Sequence, residues 1–278
     1  MRLWVMVLAF FGAIFGAESP AQEAVMARET LDQRMTAMMP YADIVKPQGA
    51  GPFPVVVQMH GCGGKKSFQA TWALEAQKAG WAVIVLDSYA HRGISRLGAY
   101  ARVCTGTHLW GRERAGDLYA ALEWARRQPW ADASHMVAAG WSHGGWSVLD
   151  ALSLEPGAEM AGATKLDGLP AEPLAGVVGA FLVYPYCGYG CVARRKGLRF
   201  DARPVGLLGS DDMIVGAEGL RRTLSTLPAP TPIEIEWLEG ATHAFDEPDA
   251  KDLRVRYSPE ITTHAHRLYR AYLESVRR

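Results

Sequence analysis

A serine set among glycines, Gly140-Trp141-Ser142-His143-Gly144-Gly145, follows the short apolar run Met136–Ala139 and precedes a stretch with apolar residues at Val148, Leu149 and Leu152. Read as strand, turn and helix, this segment predicts a tight corner that lifts the serine hydroxyl clear of a sheet. Gly140 and Gly144, two residues to either side of the serine, would let strand and helix approach without a side-chain clash and would tolerate a strained backbone. A hydroxyl at its ordinary pKa is a weak nucleophile. It needs a base within hydrogen-bond reach, and that base needs a carboxylate to fix its tautomer. Asp211 and Asp212 follow the apolar run Val205–Leu208, and His243 follows Ile233–Leu238. The order G-S-D-D-M-I-V puts Asp212 third after Gly209, which makes Asp212 the expected partner of His243 and leaves Asp211 to cap or favour a helix start.

Acyl-transfer chemistry at such a serine also needs donors for the oxyanion of a tetrahedral intermediate. The backbone N–H of His143 is one expected donor. The other is the N–H of Cys62 in His60-Gly61-Cys62-Gly63-Gly64, where the glycines allow a sharp turn with exposed amides. A phosphate-cradling nest is the rival reading of that loop, but neither a G-K-[ST] ending nor G-x-G-x-x-G is present. Among the remaining histidines, His60 is expected to organise its loop, and His91, after a strand, either lines the pocket or is a surface loop residue. His264 and His266 are two apart on one helix and so point away from one another.

The elements that must position these residues alternate along the chain. Strands are expected at Tyr41–Val45, Val55–Met59, Ala82–Asp87, Met136–Gly140, Val177–Tyr184, Val205–Leu208 and Ile233–Leu238. Helices are expected at Ser67–Lys78, Glu113–Arg127, Gly144–Leu154, Gly216–Ser225 and Glu260–Val276. Continuous apolar strands alternating with amphipathic helices predict an α/β fold with a mostly parallel sheet covered on both faces. Ligands of such sheets bind beyond the carboxyl ends of the strands, where nearly all of these candidate residues fall.

The chain has 278 residues, 49% of them hydrophobic, and Lys plus Arg equals Asp plus Glu at 29 each. That balance gives no electrostatic footprint for nucleic acid or an anionic membrane and favours a small, roughly neutral substrate. Arg2 followed by an apolar run from Leu3 to Ala17, then Ser19 and Ala21, reads as a secretory signal peptide cleaved after Ala21, leaving residues 22–278 as the functional domain. The run is shorter than the ~20 residues of a spanning helix, so no stable membrane insertion is expected after its removal. Export to a periplasmic or extracellular space turns Cys62, Cys104, Cys187 and Cys191 into expected disulfides, Cys62 with Cys104 and Cys187 with Cys191. A four-thiolate zinc site is the alternative, but only one closely spaced cysteine pair is present.

With these residues assembled, the chain resembles the dienelactone hydrolase family of the α/β-hydrolase superfamily. The resemblance rests on HGCGG at 60–64, GWSHGG at 140–145 and EGATHAFDEP at 239–248, and on the chain order serine, acid, histidine. It implies a hydrolase without a large lid that acts on small esters or lactones through Ser142, Asp212 and His243, with no metal or organic cofactor. The family's namesakes carry a cysteine nucleophile where Ser142 stands, and they are cytosolic. G-W-S-x-G-G also resembles the elbow of secreted cutinase-like polyesterases, for which Trp141, Trp146, Tyr89 and Tyr184 are candidate walls of an aromatic cleft. A prolyl-oligopeptidase-type peptidase and a non-catalytic binding protein on the same fold are the other readings.

Overall fold

The computed structural model describes residues 27–277. The expected signal peptide therefore lies outside the described residues. Strands β1 (Glu29–Thr30), β2 (Asp43–Val45), β3 (Phe53–Met59), β4 (Ala82–Val85), β5 (Ala131–Trp141), β6 (Leu166–Asp167), β7 (Val177–Val183), β8 (Pro204–Gly209) and β9 (Glu234–Leu238) alternate with helices α1 (Leu31–Met38), α2 (Phe68–Lys78), α3 (Gly111–Arg126), α4 (His143–Ser153), α5 (Ala158–Thr164), α6 (Val192–Lys196), α7 (Ala217–Ser225) and α8 (Pro259–Val276). Seven strands form one sheet in the order β2-β4-β3-β5-β7-β8-β9; β2 runs antiparallel to β4 and every other pairing is parallel. A small parallel ladder pairs β1 with β6.

Successive side chains of a strand face opposite sides of a sheet. On β5, Met136 and Ala138 enter the apolar layer under α1, α3 and α4, while Val137, Ala139 and Trp141 enter the layer under α2 and α8. β7 does the same with Ala180 and Leu182 against Phe181 and Val183. Helix α8 starts cleanly because the Ser258 hydroxyl accepts from the Ile261 N–H and Pro259 occupies the first turn. Among the described residues no helix is long and apolar enough to cross a membrane.

Every expected strand and helix is present, with shifted ends. Ala82–Asp87 stops as a strand at Val85, and β5 begins earlier than Met136, extending back to Ala131. Three features lie outside the expected elements. Helix α1 precedes the first expected strand; Thr30 and Gln33 form a reciprocal capping box at its start, and Leu31, Met35 and Met38 are buried on one face. The exposed basic cluster Arg194, Arg195 and Lys196 sits on the short helix α6. Residues 86–110, between β4 and α3, hold the longest excursion: turns at Ala90–Arg92 and Arg96–Gly98 and a π-helical turn at Ala99–Val103.

Candidate active site

Ser142 follows β5 and precedes α4 with φ 51° and ψ −113°, a conformation that L-residues avoid and that costs of order 1–3 kcal/mol. The surroundings over-determine it. Ser142 N donates to Val183 O at 2.9 Å, and Ser142 O accepts from Trp146 N at 3.0 Å and Tyr186 N at 3.1 Å. The glycines are needed for close approach: a Cβ on Gly140 would strike the Gly144 carbonyl, one on Gly144 the Met59 carbonyl, and one on Gly145 the Pro185 ring.

From the carboxyl ends of β8 and β9, Asp212 and His243 reach the same point. His243 Nε2 lies 2.9 Å from Ser142 Oγ and His243 Nδ1 lies 2.7 Å from Asp212 Oδ2. Asp212 Oδ1 accepts from the N–H groups of Ile214 at 3.0 Å and Val215 at 3.1 Å, so the carboxylate has no freedom to rotate away. Asp212 and His243 are buried and Ser142 is half-buried. With Nδ1–H donating to Asp212, Nε2 is left unprotonated toward the serine. Asp211 turns outward; its side chain is 53% exposed, beside Arg256 and the Ser210 hydroxyl.

The loop after β3 packs against the serine: a Cβ on Gly61 would sit 3.6 Å from the Ser142 Cβ. His60 Nε2 accepts from Ser88 N at 3.1 Å, so its proton is on Nδ1, which donates to Gly61 O at 2.7 Å. Tyr89 OH donates to Cys62 O at 2.9 Å, and Cys62 is disulfide-bonded to Cys104 in the 86–110 excursion. Cys187 pairs with Cys191 in the loop after β7. The four sulfurs are therefore two pairs and not one cluster. His143, the second expected oxyanion residue, occupies the first position of α4, where a helix has no partner of its own for an N–H.

Two buried groups near this site were not assigned a role from sequence. Asp246, from the EGATHAFDEP segment, is fully enclosed and accepts from Tyr184 OH at 2.6 Å, Trp72 Nε1 at 2.8 Å and Trp141 Nε1 at 3.2 Å. Burial pushes its carboxyl up to about 6, against the lowering effect of the Tyr184 and Trp72 bonds. Tyr184 in turn packs against His243, ring centroids 4.7 Å apart and planes inclined at 54°. Arg114, on α3, is also fully buried and reaches both His60 and His143. Trp141, Trp146, Tyr89 and Tyr184 are all at most 3% exposed, so they are core and not the walls of an open cleft. The exposed aromatics nearby are Tyr189, which packs edge-on against Trp110, and Tyr100, whose hydroxyl lies 3.2 Å from Lys66 Nζ. His91 is half-buried with both ring nitrogens unpartnered, and burial pushes it down to about 4. Cavities of about 410 and 400 Å³ open elsewhere, one lined by Asp211, Thr242 and Arg256 and one by Leu152, Met160 and Phe200; Ser142 lines neither.

The chain has the α/β-hydrolase fold. Solved structures similar to it include one described as a dienelactone hydrolase of Klebsiella pneumoniae, 17% identical with a TM-score of 0.61, covering 84% of this chain and 91% of that one. Esterase 2 of Thermogutta terrifontis is 16% identical with a TM-score of 0.57, covering 84% and 89%. A dienelactone hydrolase-like promiscuous phosphotriesterase from metagenomic libraries is 18% identical with a TM-score of 0.56, covering 84% and 92%. A family model of the prolyl oligopeptidase family matches residues 69–158, the stretch from α2 to the start of α5 that contains Ser142. No curated protein matches the chain in sequence.

Proposed function

We propose that this protein is a serine hydrolase that cleaves small carboxylic esters or lactones through an acyl-enzyme. The observation that carries the reading is His243 hydrogen-bonded at once to Ser142 Oγ and to Asp212. In this mechanism His243 Nε2 takes the Ser142 proton as Oγ attacks the carbonyl carbon. Asp212 holds the ring and stabilises the imidazolium, and the N–H groups of Cys62 and His143 receive the oxyanion. Collapse expels the alcohol, which takes its proton from His243; water, deprotonated by the same nitrogen, then releases the acid and regenerates Ser142. The fold-level likeness to dienelactone hydrolase-like and esterase structures supports this class. Export belongs to the same proposal, on the apolar leader and the two disulfides.

Residues 184–203, between β7 and β8, contain only the short helix α6, so nothing there builds a deep channel for a long acyl chain. Short acyl groups are the expected substrates, since each methylene left in water forgoes roughly 0.8 kcal/mol of burial. The test is purified residues 22–278 against p-nitrophenyl esters of graded acyl length, with a lactone and, because of the prolyl oligopeptidase match, a chromogenic peptide alongside. The expected result is turnover of short esters or the lactone and a loss on the order of 10⁶ in Ser142→Ala or His243→Ala. Peptide turnover without ester turnover would move the chain to the peptidase class, and a rate rising steadily into long acyl chains would defeat the small-ester reading. A wild-type serine unreactive to a fluorophosphonate would defeat the hydrolase reading altogether.

A further inference from the structure

Arg114 is a buried cation without a contacting counter-ion. Its relative exposure is 0%, and among the described residues it makes no ion pair; the nearby Asp117 is occupied by Arg34 and by Arg92. The guanidinium instead donates to His60 O at 3.0 Å and to His143 Nδ1 at 3.0 Å, and lies 5.5 Å from the centroid of the Tyr89 ring. A guanidinium has no acceptor, so His143 Nδ1 is the unprotonated nitrogen of that ring. The 3.4 Å approach of Arg114 to His60 Nδ1 is then a meeting of two donors and adds no bond, because that nitrogen already holds the proton given to Gly61 O. Burial first, and the Arg114 charge second, hold both imidazoles well below the usual histidine range, so neither competes as a second cation.

A charge removed from water without a partner is expensive. Its placement is therefore informative. One arm grips the loop of one expected oxyanion donor and the other grips the residue that supplies the second. Along that loop His60 O is held by Arg114, Gly61 O by the His60 ring and Gly64 N, and Cys62 O by Tyr89. The carbonyl and N–H of a trans peptide point in opposite directions, so pinning Gly61 O also sets the direction of the Cys62 N–H.

We propose that Arg114 is the positioning residue of the oxyanion site: its guanidinium clamps the His60–Cys62 loop to the N-terminus of α4, holds the Cys62 and His143 N–H groups at one separation, and supplies the positive field in which the tetrahedral oxyanion forms. The proposal deepens the reading of Ser142 as an ester-cleaving nucleophile and rests on it. Arg114 does not touch substrate in this scheme. It acts through the two donors, and the charge it lacks in the resting protein is the one that develops in the transition state.

The test compares wild type, Arg114→Gln and Arg114→Lys, with active sites counted by fluorophosphonate labelling so that misfolded protein drops out of the rates. For Arg114→Gln, kcat per labelled site for a short p-nitrophenyl ester should fall about 10- to 100-fold with KM nearly unchanged, somewhat less than the loss of an oxyanion donor itself. Affinity for phenylboronic acid, which adds to the serine as a tetrahedral anion, should weaken by a similar factor. Arg114→Lys keeps the charge but not the two-armed grip and should recover part of both. A purely structural role would lower the labelled fraction and leave these ratios alone. Variants whose labelled sites keep wild-type kcat and boronate affinity overturn the proposal while leaving the esterase reading intact; a wild type without ester turnover removes both. If Arg114→Gln does not fold, Arg114→Lys decides by the same ratios.

Discussion

Opening the Cys62–Cys104 disulfide should cost far more than opening Cys187–Cys191. A cross-link restricts the unfolded chain by an amount that grows with the logarithm of the loop it closes. Cys62 and Cys104 are separated by 42 residues and Cys187 and Cys191 by 4. The chain-entropy relation then gives about 4 kcal/mol for the first and about 2 kcal/mol for the second at room temperature, and in the difference of about 2 kcal/mol its constant cancels. Against a usual total of about 5–15 kcal/mol, the longer bridge is a sizeable share of the protein's stability. Cys104 is exposed, so Cys104→Ala removes little packing and isolates the cross-link. Cys191→Ala is the comparison, alanine being apolar enough for that buried position.

Urea unfolding of the three proteins, fitted with individual slopes, measures the effect directly, because a looser unfolded state changes the slope as well as the midpoint. Cys104→Ala should lose more stability than Cys191→Ala. Equal losses, or a larger loss for Cys191→Ala, would refute the loop-length reasoning. Turnover should also fall in Cys104→Ala, by about tenfold or less, because Arg114, the His60 ring and Tyr89 still hold the Cys62 loop.

Asp212→Asn should lower kcat by about 10⁴ through loss of the correct His243 tautomer, whereas the outward-facing Asp211→Asn should stay near wild type; comparable losses in steady-state kinetics would count against Asp212 as the orienting acid. Gly144→Ala drives a methyl into the Met59 carbonyl and should destabilise by at least about 1–3 kcal/mol in the same urea assay; an unchanged midpoint would mean that strand and helix can separate freely there. Asp246 titrates at about 6 when folded against its ordinary 3.8, so the stability it lends is full below about pH 4 and is lost as pH rises through about 6, a change of about 3 kcal/mol. The difference in unfolding free energy between wild type and Asp246→Asn, measured from pH 4 to 7, should follow that fall, and a flat difference would contradict the raised carboxyl.

How much of this arrangement is legible in the sequence depends on how local its cause is. The elbow announces itself because Gly140, Gly144 and Gly145 are each required by a backbone contact within a few residues of Ser142 or at the next strand. Strands β7 and β8 are continuous apolar runs because both their faces are covered. Helix α1 is legible in its capping box, T-L-D-Q, but its apolar stripe is thinned by Arg34, whose charge is acceptable inside only because Asp117 and Glu29 receive it. The polar start of β5 reads as a loop because Asp132, Ser134 and His135 satisfy one another locally, and the pairing with β3 changes register just there. Residues 86–110 carry no clean period, since their order comes from the Cys104 bridge and from Arg92 reaching Asp117.

The same distinction separates the proposed reacting groups from their supports. Ser142 and His243 are 101 residues apart, yet each can be found alone, because the chemistry demands a particular residue type after a particular strand. Nothing local demands Arg114 or Asp246. Arg114 is one of several arginines on a helix whose apolar face looks complete without it, and its partners lie 54 residues upstream and 29 downstream. Asp246 follows His243 by three residues but bonds to Trp72 on α2, Trp141 on β5 and Tyr184 just past β7. Each is a charged or ionisable group carried into the core, where it is tolerable only if the folded protein supplies its partners. Its cost is therefore set by the tertiary structure, and so is its use: Asp246 fixes the residue before Ser142 and the ring against His243, while Arg114 joins the two segments of the proposed oxyanion site.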